Sequence, residues 1–275
     1  YIKKNQKISE IFDTNINDLD LNIFIYKFIL KLILINDVKI HYGKFEIDKK
    51  NNFFNLIKTI SAPSNYKEKF TIVEGWSKRD LEKNLNKHFD KYNEIEYNEA
   101  IADTYFINHN LEFSEFKKIL NNNLLNLKDK FKDYELSKVF SFNEILIIGS
   151  LLEKEGLDYE DKKKIYSVIK NRLEKNMKLQ IDATVIYSLT DDIADLDRSL
   201  TLTDLKLKHP YNTYYIYGLP PRPISYVGSK TIELIYENYK SNYLFYFFNT
   251  YEGKHIFSTD YKNHLLKLNE YRSKK

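Results

Sequence analysis

The 275-residue chain contains no cysteine, only 7 glycines and 5 prolines, and little imbalance between acidic and basic side chains. The absence of cysteine excludes thiol catalysis and disulfide bonds. No glycine-rich phosphate loop, G-x-S-x-G elbow or metal-ligand spacing occurs, so neither a cofactor nor a metal is expected. The 43 basic and 39 acidic residues are interspersed, which does not support a nucleic-acid-binding surface.

Long hydrophobic runs are also missing. The most apolar stretch near the start, residues 21–35, spans 15 positions and contains Lys27 and Lys31. A membrane span needs roughly 20 apolar residues, so this stretch is interpreted as an amphipathic helix. Because the chain begins at Tyr1 rather than at methionine, we expect the natural protein to continue beyond this end.

Apolar periodicity and turn residues predict an α+β chain rather than repeating βαβ units. We predict a first unit over residues 1–67, which ends near a linker at Pro63, and a second over 68–275. The first unit is expected to contain helices at 8–12, 21–35 and 53–60 and a strand and turn within 39–47.

The second unit begins with a predicted strand at 69–73. Capping boxes at Ser77 and Ser141 and the pair Asp158 and Asp161 indicate helix starts. Prolines and glycines predict loops and short strands over 179–223. The remaining predicted elements are helices at 113–131 and 230–239, a buried strand at 243–248, its hairpin partner at 254–258 and a closing helix from 260.

The most informative run is Ser150–Gly156, at the end of a helix that is apolar nearly all round from Ile145 to Leu152. Such a helix should be buried, and a carboxylate at its end is costly unless it is paired, protonated or used in chemistry. Helical phase places Glu153 inward and Glu155, about 200° away, toward solvent or the next helix.

Glu153 is therefore a candidate general acid. The alternative is a structural ion pair with a buried cation such as Arg172.

Two downstream runs carry polar and aromatic side chains that suit a sugar. In an extended segment, Gln180, Asp182 and Thr184 would share one face and offer hydrogen bonds; the alternative is a polar strand edge. Tyr211 and Asn212 would supply a stacking ring and an amide. The alternative interpretation of these two residues is an asparagine turn flanked by packed tyrosines.

Taken in order, these runs resemble the endolytic murein transglycosylases, the YceG-like family. The resemblance covers almost the whole chain and is strongest over 143–260. Its motifs are L-E-K-E at Leu152–Glu155, N-R-L at Asn171–Leu173, L-Q-I-D-A-T-V-I-Y at Leu179–Tyr187, Y-N-T-Y at Tyr211–Tyr214, G-L-P-P-R-P-I at Gly218–Ile224 and K-H-I-F-S at Lys254–Ser258. Ala183 and Arg222 depart from the family's usual proline and glycine.

The resemblance implies a LysM-like subdomain over 1–67 and a catalytic domain over 68–275, with its core at 136–275. It also implies cleavage of the β-1,4 bond between N-acetylmuramic acid and N-acetylglucosamine within glycan strands, leaving 1,6-anhydro ends. Glu153 would be the acid. The implied substrate-binding residues are Gln180, Asp182, Tyr187, Tyr211, Asn212 and His255.

The expected partners are the glycan strands of peptidoglycan and peptidoglycan synthases. No nucleic-acid partner is expected. The expected location is the periplasmic side of the bacterial inner membrane, held by a single-pass N-terminal anchor that this chain lacks. Three alternatives stay open: a two-carboxylate muramidase that uses Asp182, a catalytically idle peptidoglycan-binding or scaffold protein, and a pyridoxal-phosphate lyase, for which no lysine stands out.

Overall fold

The computed structural model describes residues 2, 31, 39–46, 53–109 and 111–274. The chain divides into two compact units, Tyr1–Phe70 with Tyr105–Glu112 and Thr71–Thr104 with Phe113–Lys275. The chain is a mixture of helices and strands, and the strands form two separate two-stranded sheets, which confirms the predicted α+β class. The boundary at residue 67 and the LysM-like character of the first unit stay predictions.

The first unit contains helix α1 (Phe53–Ile60) and most of a two-stranded sheet of β1 (Lys67–Thr71) and β2 (Thr104–Asn108). The strand predicted within 39–47 is wrong for the described residues 39–46, where Gly43 makes only a single bridge to Ile2. The helices predicted at 8–12 and 21–35 lie outside the described residues, apart from Lys31.

Four helices of the second unit begin near predicted positions. They are α2 (Lys78–His88), α3 (Phe113–Phe131), α4 (Phe142–Glu155) and α5 (Tyr159–Glu174). Ser77 and Ser141 form the predicted capping boxes, in which each side chain accepts a backbone N–H of the first turn. Asp158 caps α5 in the same way. These local bonds satisfy donors that a helix start leaves unpaired.

Helix α4 forms the centre of the second unit. Every residue from Ile145 to Leu152 is buried, and full burial stabilises each Leu or Ile side chain by about 1.5–3 kcal/mol. The helix packs against α5 and against α6 (Asp182–Thr190) and α7 (Ser229–Tyr236). Gly149 permits the close approach of Val227, because a Cβ there would lie 2.5 Å from a Val227 methyl carbon.

The prediction of loops and short strands over 179–223 is wrong over Asp182–Thr190, where α6 is a helix, and the residues that follow to 223 are mostly loop. Thr184, Val185 and Ile186 are β-branched residues that favour strands, but tertiary contacts override that preference. The buried Thr184 hydroxyl bonds Ile181 O at 2.6 Å and Thr213 Oγ1 at 2.8 Å. Gln180 enters the helix through a left-handed conformation, with φ of 51°.

The chain ends in an antiparallel hairpin of β3 (Phe245–Asn249) and β4 (Lys254–Ser258), with Phe245 opposite Ser258. Helix α8 (Tyr261–Ser273) follows and packs on both strands. The hairpin is confirmed, but the prediction that its first strand is buried is wrong. Phe248 is 41% exposed, since a sheet of two strands cannot cover both of its faces.

No helix among the described residues combines the length and the apolar character that crossing a bilayer requires.

Candidate active site

Glu153 lies in the last turn of α4, and its side chain is only 2% exposed. The Lys162 ammonium, from α5, donates to Glu153 Oε2, and the Gly228 N–H donates to Oε1 at 3.1 Å. Lys162 is itself 14% exposed and also donates to the Thr231 hydroxyl. Glu153 is therefore buried as predicted, and it is enclosed and ion-paired.

The ion-pair alternative named the wrong cation. Arg172 donates instead to three backbone carbonyls, those of Leu244, Lys178 and Leu179. Lys162 is the cation that pairs with Glu153. Lys162 follows Glu153 by nine residues, across the turn between α4 and α5. Only the packing angle of the two helices decides that these groups meet.

Glu155 does not face solvent or the next helix, so that prediction is wrong. Its side chain lines a cavity between the end of α4, the start of α6 and strand β3. The Tyr246 hydroxyl donates to Glu155 Oε2 at 3.1 Å. Burial raises the pKa of the Glu155 carboxyl; the Tyr246 hydrogen bond opposes this rise, and the charge of Asp182 adds to it. A partly buried carboxyl of this kind suits a general acid near neutral pH.

The cavity beside Glu155 has a volume of about 500 Å³. It carries both hydrogen-bonding groups and aromatic rings, the combination that sugar-binding clefts require. Its walls are formed by Glu155, Arg172, Gln180, Asp182, Tyr214, Phe245, Tyr246, Phe247, Phe248, His255, Tyr261, His264 and Arg272.

Three of the predicted site residues meet Glu155 in this cavity: Gln180, Asp182 and His255. Asp182 is the first residue of α6 and accepts a hydrogen bond from the Tyr214 hydroxyl at 2.6 Å. His255 lies within 2.8 Å of Asp161 Oδ2 through Nδ1, and both side chains are nearly buried. Asp161 thus fixes the imidazole ring at the cavity wall.

Tyr187 and Tyr211 lie elsewhere, so the prediction that they share a cleft with the acid is not supported. Their rings pack against each other at 4.6 Å and line a different cavity with Lys78 and Tyr97. Tyr187 also borders a larger cavity of about 430 Å³. Neither tyrosine lines the Glu155 cavity, because α6 turns the Tyr187 side chain away from that of Asp182.

Asn212 is fully buried and its amide is fully used, which corrects its assignment to substrate binding. Its Nδ2 donates to Leu205 O at 3.1 Å and to Leu207 O at 2.7 Å, while Oδ1 accepts the Tyr214 N–H at 2.9 Å. This is the asparagine turn that was the alternative interpretation. It holds the loop that presents the Tyr214 hydroxyl to Asp182.

Asn212→Ala should therefore act on stability. We expect a loss of about 2 kcal/mol in the free energy of unfolding, because two carbonyls lose a buried donor. Urea unfolding of the purified variant measures this loss. A variant of unchanged stability with weakened substrate binding would contradict the structural assignment.

Sequence reasoning missed Glu155, Tyr214, Tyr246 and Arg172 as cavity residues. Tyr214 ends the Y-N-T-Y run and Arg172 lies in N-R-L, so both lie in motifs that were already noted. Tyr246 belongs to an aromatic strand with no distinguishing spacing. Glu155 was set aside by a helical-wheel argument, which describes a single helix and ignores what packs against its end.

The YceG-like family model matches residues 1–270 of the chain. An endolytic murein transglycosylase of Bacillus subtilis (strain 168) is 38% identical over 135 residues, which are 49% of this chain and 36% of the relative. One of Streptococcus pneumoniae serotype 2 is 34% identical over 137 residues, 46% of this chain and 23% of the relative.

The chain thus matches about a third or less of the length of these curated relatives. A 2.6 Å crystal structure of a putative YceG-like protein from Listeria monocytogenes superposes with a TM-score of 0.61 at 25% identity, and the match covers 96% of each chain.

Proposed function

The chain belongs to the YceG-like family, and from that membership and the cavity beside Glu155 we propose that it is a peptidoglycan-cleaving transglycosylase that acts outside the cytoplasm. The observation that carries the proposal is the Glu155 carboxyl, which is partly buried, has a raised pKa and borders a cavity of hydroxyls, amides and aromatic rings. Two relatives that bear the name endolytic murein transglycosylase support the substrate class.

The reaction that we propose needs one carboxyl. Glu155 protonates the oxygen of the β-1,4 bond that leaves N-acetylmuramic acid, and the bond from C1 to this oxygen breaks. The resulting carboxylate then takes the proton of the muramoyl C6 hydroxyl, whose oxygen bonds to C1 and closes a 1,6-anhydro ring. The acid is restored, and no water is consumed. Tyr246 holds the Glu155 carboxyl in place between the two steps.

Glu155 is a better acid in this proposal than Glu153, to which the family resemblance first assigned the role. Glu153 is 2% exposed and ion-paired, and it lines none of the cavities described above. Its two oxygens are already held by an ammonium and a backbone N–H, so it has no path to a sugar. The assignment to Glu153 stays a prediction, and comparison of the two variants will decide it.

Hydrolysis by two carboxylates is the second candidate function. It is favoured by one observation, the presence of Asp182 in the same cavity as Glu155. In that mechanism Asp182 would activate a water or attack C1. The Tyr214 hydroxyl already bonds Asp182 Oδ1 at 2.6 Å, which supports an orienting role for this aspartate.

Product analysis separates the two reactions. Purified glycan strands are digested with the full 275-residue chain in ¹⁸O-labelled water, and the fragments are analysed by mass spectrometry. Transglycosylation gives anhydro ends without label, whereas hydrolysis gives reducing ends that contain ¹⁸O. Labelled reducing ends as the main product would refute the transglycosylase proposal, and the absence of any cleavage would favour a scaffold role.

The pH dependence provides a second check. Glu155 must be protonated to act, so kcat/KM should fall as pH rises through its raised pKa. The Tyr246 hydrogen bond favours the anion, and its removal in Tyr246→Phe should raise the Glu155 pKa further. In the plot of kcat/KM against pH, we expect the fall in activity to shift to higher pH by about one unit. Tyr243→Phe is the control, since Tyr243 does not line the cavity. A fall in activity that does not shift would exclude Glu155 as the titrating acid.

Three further elements belong to the proposal. The first unit binds glycan in the manner of a LysM-like subdomain. A single-pass anchor in the inner membrane holds the enzyme facing the periplasm. Peptidoglycan synthases act beside it, so that cleavage ends the growth of nascent strands.

A further inference from the structure

The cavity that Glu155 lines also contains a buried cation without a carboxylate partner. Arg172 is 7% exposed. It donates through Nε to Leu244 O at 2.7 Å and through Nη1 to Leu179 O at 2.7 Å and Lys178 O at 3.3 Å. Within the described ranges no acidic side chain bonds it, and Nη2 has no hydrogen bond and is left to the cavity that Arg172 lines.

Two further groups line the same cavity. His264, on α8, stacks on Phe245 at 5.3 Å, and its Nδ1 is buried with no hydrogen-bond partner in the described part of the chain. Arg272, farther along α8, lines the same cavity and makes no salt bridge to any described residue. Burial and then the charges of Arg172 and Arg272 lower the pKa of His264, so the three groups are electrostatic neighbours.

The cavity also contains two acidic side chains, Glu155 and Asp182. It therefore holds acidic groups, beside which a glycosidic bond is cleaved in the proposed reaction, and the three basic groups named above. The three carbonyls and the Phe245 ring, whose centroid lies 5.2 Å from the guanidinium carbon, hold Arg172 in place without neutralising its charge, and a neutral sugar would not neutralise it either. An anionic group on the ligand would, because a guanidinium binds carboxylates through paired, charge-assisted hydrogen bonds.

Resting on the function proposed above, we propose that Arg172, His264 and Arg272 form a subsite for a carboxylate of the peptide stems that peptidoglycan carries. The glycan chain lies across Glu155, and the stem of a neighbouring muramoyl residue extends over β3 to these three basic groups. The phenyl rings of Phe245 and Phe247 provide an apolar floor for the peptide. The subsite makes the protein selective for strands whose stems are present and charged.

The test measures binding, so it does not depend on turnover. The probe is a soluble disaccharide–tetrapeptide whose amines are acetylated and whose carboxylates are either free or converted to methylamides. Isothermal titration with the full chain should give about tenfold weaker binding of the methylamide form. The Arg272→Gln variant should bind the free-acid probe about tenfold more weakly than the unaltered chain does, and its affinity for the methylamide probe should be unchanged. Arg272→Lys should recover part of the loss.

Lys262→Gln is the matched control. It removes a positive charge from the same helix at an exposed position that does not line the cavity, and it should keep the full preference. Arg172 is left unaltered, because its three backbone bonds make a folding defect the expected result of its removal.

Equal affinity for the two probes overturns the subsite, as does an equal loss for both probes in Arg272→Gln. The digestion assay is scored separately. Selective binding without glycan cleavage would refute the proposed function and support the carboxylate subsite. Cleavage without selective binding would support the proposed function and refute the subsite.

Discussion

Glu155→Gln is expected to lower the rate of glycan cleavage by about a thousandfold, because it removes the proton that the leaving oxygen requires while it preserves the shape of the side chain. Glutamine can still accept the Tyr246 hydrogen bond at the cavity wall, so the fold should be maintained. Release of muropeptides from purified sacculi gives the rate, and circular dichroism and thermal unfolding check the fold.

Glu153→Gln is the decisive comparison for this prediction. It changes the other glutamate of the same turn in the same way, but outside the cavity. We expect it to be less stable and, where folded, to keep most of its activity. Activity lost in a folded Glu153→Gln and kept in Glu155→Gln would return the catalytic role to Glu153. Unchanged cleavage in both variants would remove both glutamates from the acid role.

Lys162→Met should destabilise the protein by about 3–5 kcal/mol, because it leaves the Glu153 carboxylate buried without its cation. The methionine side chain fills a similar volume, so the loss in the free energy of unfolding should come mainly from the unpaired charge and little from a cavity. Chemical denaturation gives the free energy of unfolding. Lys138→Met, which removes an exposed lysine paired with Glu135 on the surface, should change stability little.

The double variant Lys162→Met with Glu153→Gln tests whether the two groups act as a pair. It should be less destabilised than the sum of the single variants, because neither charge is then left alone. The glutamine amide that the second change introduces would keep an oxygen for the Gly228 N–H, as Glu153 does now. Strictly additive losses would show that the Glu153–Lys162 contact contributes nothing of its own.

Much of the architecture was predictable because it depends on short-range bonds. The helix from Phe142 to Glu155 begins where Ser141 and Glu144 form a capping box. Its burial follows from an apolar pattern with no polar face. The hairpin around Gly253 and the closing helix behind Asp260 rest on equally local signals. Helix α6 was missed because Thr184 is buried against Thr213, 29 residues later, and that contact outweighs local preference.

The sequence by itself determined the α+β class, the caps, the buried helix with its two terminal glutamates and the ordered motifs of the YceG-like family. Each of these depends on residues within about one turn of one another, or on identity alone. The tertiary structure decided which glutamate meets a cavity.

Glu155 reaches Tyr246, 91 residues later, and Glu153 reaches Lys162 and Gly228. The exposure of a side chain in the last turn of a helix depends on what packs against that turn. In this protein the last turn packs against strand β3, helix α5 and the loop at Gly228, and no local pattern around Glu153 and Glu155 specifies their positions.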